Sequence, residues 1–262
     1  MNTKQTVNVA IAGAAGRMGQ RLCALAADID GLELVEAFDA PGNPAIGSPA
    51  PGSKIVITDS FRAAADVLID FTAPTVTRRL IDACVRKKIA LVIGTTGLTD
   101  DDQEAIDAAA KTIPLIQAPN FSLVVNVMTM LAAKAAQLLG DAYDIEILEA
   151  HHRFKKDAPS GTALNIAKRI CQATGRSFED DVVFTRHGDE ALRRKGEITM
   201  QTLRVGDAVG EHTVYYATLG ERMEIRHVGT SRDSYAGGAL RAAKWLHGRK
   251  AGRYTMSDVL GL

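Results

Sequence analysis

Along the first half of the chain, short apolar runs alternate with segments in which apolar residues recur at helical spacing. After the first run and a glycine turn, Met18, Leu22 and Leu25 mark one face of a helix. The pattern predicts six strands, at residues 7–12, 32–38, 55–58, 67–71, 90–93 and 114–117. Because strands that alternate with helices form parallel sheets, we expect an α/β fold with a doubly wound parallel sheet.

The second half of the chain has a different pattern. Helices are predicted there at residues 123–139, 161–174 and 233–246. Strands are predicted at residues 144–150, 196–205, 210–218 and 222–228. Turns at Gly206 and Gly220 separate the last three strands at hairpin-like spacing, which favours their antiparallel pairing. We therefore expect a second, α+β domain with a mixed or antiparallel sheet, and a subunit contact on the weakly polar face that residues 213–218 imply.

Composition narrows the classes of function. The 262 residues include 31 Lys and Arg and 31 Asp and Glu, for a formal net charge of +0, so we expect no nucleic-acid partner. Cys23, Cys84 and Cys171 lie far apart in apolar helical patterns, which indicates reduced core thiols and a cytoplasmic location. The basic clusters at 86–88 and 193–195 are interpreted as solvated surface.

Two segments bear on membrane association. Residues 1–6 are polar and contain no apolar run, so we expect no secretory signal. The long apolar segment at 123–139 is interrupted by Asn126, Lys134 and Gln137, whereas a membrane span needs about 20 mostly apolar residues. We interpret it as a buried helix of a soluble protein and expect no membrane partner.

The first turn reads Gly13-Ala14-Ala15-Gly16-Arg17-Met18-Gly19, a G-x-x-G-x-x-G variant of the dinucleotide fingerprint. Such glycines let a pyrophosphate approach the amide groups of a helix N-terminus. A strand precedes the turn, a helix follows it, and Asp39 ends the next strand, where a ribose hydroxyl is bound. A merely structural turn is the alternative. Because residues 40–43 contain no Lys or Arg for a 2′-phosphate, we expect NADH to be used at least as well as NADPH.

Three further turns follow strands of the predicted sheet, at residues 71–74, 94–97 and 118–121. Ligands of open α/β sheets bind outside the carboxyl ends of the strands. These turns are therefore candidate cofactor contacts, although ordinary turn chemistry explains the same residues.

Residues 149–164 read E-A-H-H-R-F-K-K-D-A-P-S-G-T-A-L and concentrate polar chemistry. His151 and His152 are adjacent, so on extended chain they point to opposite faces, and no third ligand at a familiar spacing accompanies them; we expect no metal. An imidazole near Lys155 suits acid–base chemistry. The helix start at Ser160, Gly161 and Thr162 offers N–H and hydroxyl groups to a carboxylate. The alternative is a capped helix with surface lysines, which leaves the histidines unexplained.

With these motifs the chain closely resembles the dihydrodipicolinate reductase (4-hydroxy-tetrahydrodipicolinate reductase) family along essentially its whole length. The segments that carry the resemblance are V-A-I-A-G-A-A-G-R-M-G at 9–19, D-F-T at 70–72, V-I-G-T-T-G at 92–97, N-F-S at 120–122, N-V-M at 126–128, E-A-H-H-R-F-K-K-D-A-P-S-G-T-A at 149–163 and V-G-E-H-T at 209–213. The resemblance implies NAD(P)H-dependent reduction of a cyclic dicarboxylate, with loss of water, to tetrahydrodipicolinate in the diaminopimelate route of lysine biosynthesis.

The resemblance also implies roles for residues and domains. His151 would be the proton donor and acceptor and Lys155 a proton donor. Substrate would be held by His152, Lys155, Ser160, Gly161, Thr162 and Thr96. The residues that would line the cofactor-binding site are Gly13, Ala14, Ala15, Gly16, Arg17, Met18, Asp39, Gly94, Thr95, Thr96, Ala118, Pro119, Asn120 and Phe121. Residues 1–122 and 232–262 would form the Rossmann-type dinucleotide-binding domain, and 123–231 the domain for substrate binding and assembly into a homotetramer.

One departure from the family pattern concerns the cofactor. Many members carry Glu-Arg after the second strand, where this chain has Asp39-Ala40, which weakens the case for NADPH preference. Two other readings compete with the reductase. One is a non-catalytic dinucleotide sensor, which would not need paired histidines beside a carboxylate site, and the other is a reductase acting on a different small dicarboxylate.

Overall fold

The computed structural model describes residues 6–62 and 64–261. The strands are β1 (Val7–Ala12), β2 (Leu32–Phe38), β3 (Ile57–Thr58), β4 (Val67–Asp70), β5 (Ala90–Ile93), β6 (Pro114–Gln117), β7 (Asp144–His151), β8 (Val182–Phe184), β9 (Ile198–Arg204), β10 (Gly210–Thr218), β11 (Glu221–Gly229) and β12 (Gly252–Tyr254). The helices are α1 (Arg17–Ala26), α2 (Pro74–Lys87), α3 (Asp100–Ala110), α4 (Leu123–Leu139), α5 (Gly161–Thr174), α6 (Phe178–Asp181), α7 (Asp233–Leu246) and α8 (Met256–Leu260).

These elements form two compact units. The first comprises the described residues of Met1–Leu123 and Arg232–Leu262, and the second comprises Val124–Ser231. The expectation that residues 1–6 form no secretory signal falls largely outside the described residues, since residues 1–5 are not among them.

The first unit is built on a seven-stranded, wholly parallel sheet in the order β12-β6-β5-β4-β1-β2-β3. Side chains of β1 alternate between two cores: Val9 and Ile11 pack with α1, α7 and α8, while Ala10 and Ala12 pack with α2 and α3. Helices on both faces bury both faces of the strands, which explains their near-continuous apolar sequences. The predicted doubly wound sheet is confirmed, although its third strand is shorter and β12 and α8 were not predicted.

The second unit contains a five-stranded mixed sheet in the order β11-β10-β7-β9-β8. The β11–β10 and β10–β7 pairs are antiparallel, whereas β7–β9 and β9–β8 are parallel. Helices α4 and α5 pack on one face of this sheet through buried apolar side chains. Tyr216, wholly buried, donates a hydrogen bond from its hydroxyl to the carbonyl oxygen of Ala132 at 2.5 Å, which fixes α4 on the sheet.

The predicted hairpin between residues 196–205 and 210–218 is wrong, because β7 lies between β9 and β10. The connection passes over one strand, a step of about 10 Å that its residues reach easily. This order places His212 of β10 and Thr202 of β9 on either side of Glu149 on β7. A β9–β10 pair would leave only one of these two strands beside β7, so Glu149 would lose the neighbour that the other supplies.

Two interpretations of polar and apolar segments are refined by the structure. Arg193 is not solvated, since its guanidinium donates to the carbonyl oxygens of Ile145 and Glu197 and contacts Glu146.

The segment Leu123–Ala142 is long and apolar enough to cross a membrane by length and composition alone. Met128 and Ala132 of α4 pack in the core of the second unit, whereas Val124, Leu131 and Leu138 are exposed. The segment is thus a packed helix of this fold that is buried on one face only, and the prediction of a wholly buried helix is wrong.

Candidate active site

The glycine turn leaves α1 with an open N-terminus. Gly13 has φ +75°, and a Cβ there would lie 2.8 Å from the carbonyl oxygen of Phe71. A Cβ at Gly19 would lie 2.0 Å from the carbonyl oxygen of Gly13, so the helix can approach the turn only without a side chain. The N-cap residue is Gly16, which has no side chain to cap the first amide groups. The turn therefore fits a pyrophosphate.

Asp39 follows β2 and lies against this turn. Its Oδ2 accepts a hydrogen bond from the amide of Ala15 at 2.8 Å, and its Oδ1 accepts from the amide of Ala40 at 2.8 Å and from Asn43 at 3.2 Å. The carboxylate is thus fixed beside the glycine turn, where a ribose-binding acid lies in this fold.

The strand-end turns are joined by a buried acid that the sequence interpretation did not single out. Asp70, the last residue of β4, accepts hydrogen bonds from the amide and hydroxyl of Thr72 and from the hydroxyl of Thr77. Thr72 also donates its amide to the Thr95 hydroxyl at 3.1 Å, which links the turns after β4 and β5. Burial raises the pKa of Asp70 although these threonines oppose the shift.

The remaining turns of the first unit lie near these residues. A Cβ at Gly94 would lie 2.3 Å from the Phe71 ring, which explains the glycine. The rings of Phe71 and Phe121 pack 5.8 Å apart, and Asn120 accepts a hydrogen bond from the amide of Ser122 at 2.8 Å. The structure thus places the turns after β4, β5 and β6 side by side at the carboxyl ends of their strands.

In the second unit, His151 ends β7 with its ring held by a buried carboxylate. The Nδ1 atom lies 2.6 Å from Oε2 of Glu149, and the glutamate side chain has no exposed surface. Arg204 donates from Nη1 to Oε2 and from Nη2 to Oε1, both at 3.0 Å. Burial acts to raise the pKa of Glu149, but the hydrogen bonds from His151 and Arg204 outweigh it and lower the pKa to about 2.

The same carboxylate fixes the start of α5. Oε1 of Glu149 accepts hydrogen bonds from the amide of Ser160 at 3.0 Å and from the Thr202 hydroxyl at 3.1 Å. The Ser160 hydroxyl caps α5 by accepting from the amide of Ala163 at 3.2 Å, as the helix-start pattern predicts. The histidine and the N-terminus of α5, beginning at Gly161 and Thr162, are thereby held by one group.

Lys155 lies in the loop between His151 and α5. Its Nζ pairs with Oδ1 of Asp157 at 2.9 Å, and 22% of its side chain is exposed. The amide of Lys155 donates to the carbonyl oxygen of His152 at 3.1 Å, and the His152 ring packs 6.3 Å from that of Phe154. The loop therefore carries the His152 imidazole and the Lys155 ammonium group directly after His151 in the sequence.

Two further histidines line the buried side of the site. The ring of His212 lies 5.4 Å from that of His151 and 6.0 Å from that of His227. Its Nε2 atom is 3.3 Å from the Ser160 hydroxyl. Burial lowers the pKa of His212 to about 3, so this imidazole is neutral at physiological pH. The sequence offered a signal for this position, since His212 follows the same inward alternation as Val214 and Tyr216 on β10.

The candidate residues thus fall into two groups. The glycine turn, Asp39, Gly94 to Thr96 and Ala118 to Phe121 belong to the first unit, and residues 151–162 belong to the second. Within the described residues, no group of three or more His, Cys, Asp or Glu side chains is arranged to hold a metal ion.

A Rossmann-type unit with an open glycine turn, together with a second unit carrying a carboxylate-bound histidine, defines a pyridine-nucleotide-dependent reductase. Family models described as dihydrodipicolinate reductase, N-terminus and C-terminus, match residues 7–121 and 124–260. The chain belongs to the dihydrodipicolinate reductase family.

Individual relatives agree with this assignment, and a solved structure shares the fold. The 4-hydroxy-tetrahydrodipicolinate reductase of Alkalilimnicola ehrlichii is 49% identical over 98% of this chain and 100% of its own length. That of Thiobacillus denitrificans is 46% identical over 98% and 99%. A dipicolinate-bound dihydrodipicolinate reductase from Paenisporosarcina sp. TG-14 has the same fold, with a TM-score of 0.76 at 23% identity over 96% of this chain and 98% of that one.

Proposed function

We propose that this chain reduces 4-hydroxy-tetrahydrodipicolinate to tetrahydrodipicolinate, with loss of water, using NADH or NADPH, in the diaminopimelate route of lysine biosynthesis. Family membership supports the reaction, because relatives that match over nearly the full length carry the name 4-hydroxy-tetrahydrodipicolinate reductase. The observation that carries the proposal within this chain is the Glu149–His151 pair, which sets an imidazole beside the N-terminus of α5.

The first unit is the proposed dinucleotide-binding domain. Amide groups of residues 13–18 would hold the pyrophosphate, and Asp39 a ribose hydroxyl. The turns at Gly94 to Thr96 and Ala118 to Phe121 would line the rest of the cofactor. When bound, the nicotinamide supplies the hydride; the chain's contribution is to position the ring and exclude competing reactions.

The second unit is the proposed substrate domain. The amide groups that begin α5, at Gly161 and Thr162, favour an anion, and the Lys155 ammonium adds a positive charge. We assign substrate binding to His152, Lys155, Ser160, Gly161, Thr162 and Thr96. His151 would donate and accept the proton that accompanies hydride transfer, and Lys155 would donate a proton. Ser160 would act mainly through the α5 start, since its hydroxyl caps the helix.

The reaction is tested by supplying the purified protein with freshly generated 4-hydroxy-tetrahydrodipicolinate and measuring the oxidation of NADH and of NADPH. We expect oxidation that requires this substrate and fails with other small dicarboxylates. Binding of NADH without turnover on any of these substrates would support the dinucleotide sensor. Turnover on a different dicarboxylate alone would support the second reductase reading.

We expect kcat/KM with NADH to equal or exceed that with NADPH. The acidic side chain of Asp39 is fixed beside the glycine turn, and residues 40–53 contain no Lys or Arg. A matched variant is Ala40→Arg, which restores the family's common basic residue at an exposed position and should raise kcat/KM with NADPH relative to NADH. A wild-type preference for NADPH would contradict the assignment.

We propose that the protein assembles as a homotetramer through the second unit. On the sheet face away from α4 and α5, Leu203 of β9 and Val228 of β11 are 47% and 46% exposed, with Ala150 and Glu211 between them on β7 and β10. Val205, which follows β9, is 56% exposed. Several exposed apolar side chains on one sheet face favour a contact surface. Light scattering after size exclusion should give four times 28.0 kDa, and Val228→Lys should give smaller species. Monomeric wild-type protein would refute the assembly.

We also propose a cytoplasmic location. The three cysteines are buried and free, as reduced core thiols are. The relatives are biosynthetic enzymes, which accords with that compartment. Cell fractionation with a tagged chain tests the location, and recovery in the membrane pellet would contradict it.

A further inference from the structure

Glu149 receives more donors than a structural anchor for one loop requires. Three donors meet Oε1: the amide of Ser160, the Thr202 hydroxyl and Nη2 of Arg204, at 3.0, 3.1 and 3.0 Å. Oε2 receives Nη1 of Arg204 at 3.0 Å and lies 2.6 Å from Nδ1 of His151. The carboxylate therefore uses one oxygen to join the start of α5 to two side chains of β9, and the other to face the imidazole.

We infer that Glu149 is a positioning residue that fixes the tautomer and orientation of His151. An ionised carboxylate only accepts hydrogen bonds, so Nδ1 of His151 must carry the hydrogen in this contact. The atom left to exchange a proton with substrate is Nε2. This inference rests on the catalytic role proposed for His151.

Arg204 makes this arrangement possible without burying a net charge. The guanidinium neutralises Glu149 through two hydrogen bonds, and its side chain is only 19% exposed. When His151 takes up a proton at Nε2, the nearby carboxylate also stabilises the imidazolium that forms. Glu149 thus acts on the chemistry through His151, without contacting substrate itself.

Glu149→Gln tests the inference because the glutamine amide has one accepting and one donating end, and its orientation determines which nitrogen of His151 carries the hydrogen. Three donors surround the Oε1 position, whereas the Oε2 position meets Nη1 of Arg204 and an imidazole that can change its tautomer. The amide oxygen therefore satisfies more donors at the Oε1 position, and the amide NH₂ will occupy the Oε2 position, where Nη1 of Arg204 loses its acceptor. The NH₂ group then donates to Nδ1 of His151 and shifts the hydrogen to Nε2. Where a triad aspartate fixes an imidazole in this way, the amide replacement lowers kcat about 10⁴-fold; here we expect a fall of about 10²-fold or more.

The readout that separates positioning from folding is the ¹⁵N spectrum of the histidine rings, recorded at alkaline pH. The His151 signals are assigned by their absence in His151→Ala. We expect the wild type to carry hydrogen on Nδ1, Glu149→Gln to carry it on Nε2, and Glu149→Asp to keep hydrogen on Nδ1 and recover part of kcat. The matched control is Glu197→Gln, which alters a buried carboxylate bound by Arg186 and Arg194 but touches no histidine.

An unchanged His151 tautomer in Glu149→Gln would overturn the inference. So would a shifted tautomer with wild-type kcat, or an equal loss of kcat in Glu197→Gln. Wild-type turnover in His151→Ala would instead overturn the catalytic role proposed for the histidine, and the ring spectra would still decide whether Glu149 fixes its tautomer.

Discussion

Replacing His151 with alanine is expected to lower kcat by about 10²- to 10⁴-fold, the usual contribution of a positioned acid–base group. The His151 side chain is 10% exposed, and its Nδ1 atom lies 2.6 Å from Glu149, so the ring presents one nitrogen in a fixed direction. Removing it leaves the hydride donor in place but removes the proton donor and acceptor. Steady-state kinetics with saturating cofactor measures the effect.

Lys155→Ala should also lower kcat and, because the ammonium is proposed to bind substrate, should raise KM for substrate. The matched controls are His187→Ala and Lys156→Ala, both at exposed positions of the same unit. We expect near wild-type constants from both. Wild-type turnover in His151→Ala and Lys155→Ala would contradict the assigned roles.

The sequence was most informative where function depends on local backbone. Gly13 is required by its φ of +75°, and Gly19 because a side chain there would collide with the turn itself; both requirements are visible in the spacing of the glycines. Ser160 is likewise the N-cap of α5, as its position before an apolar helical pattern predicts. Turns and caps are set by neighbouring residues, so a single sequence suffices to find them.

Contacts between distant strands were less predictable. The place of β7 between β9 and β10 is a pairing of segments distant in the chain, and local periodicity contains no information about which strands pair. Arg204 lies 55 residues from Glu149 in the chain, and the sequence marks it only as one of 31 basic residues. Arg193 was misread for the same reason, because its acceptors lie up to 48 residues away.

Arg204→Met is expected to lower the free energy of unfolding by about 3–5 kcal/mol at neutral pH, because it leaves the Glu149 carboxylate buried without its permanent cation. The double variant with Glu149→Gln should lose less than the sum of the two single variants, since both halves of the pair are then gone. The control is Arg226→Met, which breaks an exposed pair with Glu211 on the same sheet and should cost about 1 kcal/mol or less.

The effect of pH follows from the depressed pKa of Glu149. A carboxyl whose pKa is about 2 in the folded chain, against an ordinary value of 4.5, stabilises the fold above the ordinary value and loses that contribution as the pH falls toward 2. Without Arg204, one of the hydrogen-bond donors that lower the pKa of Glu149 is gone, so burial raises that pKa in the folded chain. The ionised carboxylate then contributes less to stability at neutral pH, and less is lost when the pH falls. The stability difference between wild type and Arg204→Met should therefore be largest near neutrality and shrink below about pH 4.5. Urea unfolding at fixed protein concentration across this range measures it, and a constant difference would show that Arg204 contributes by packing rather than by charge.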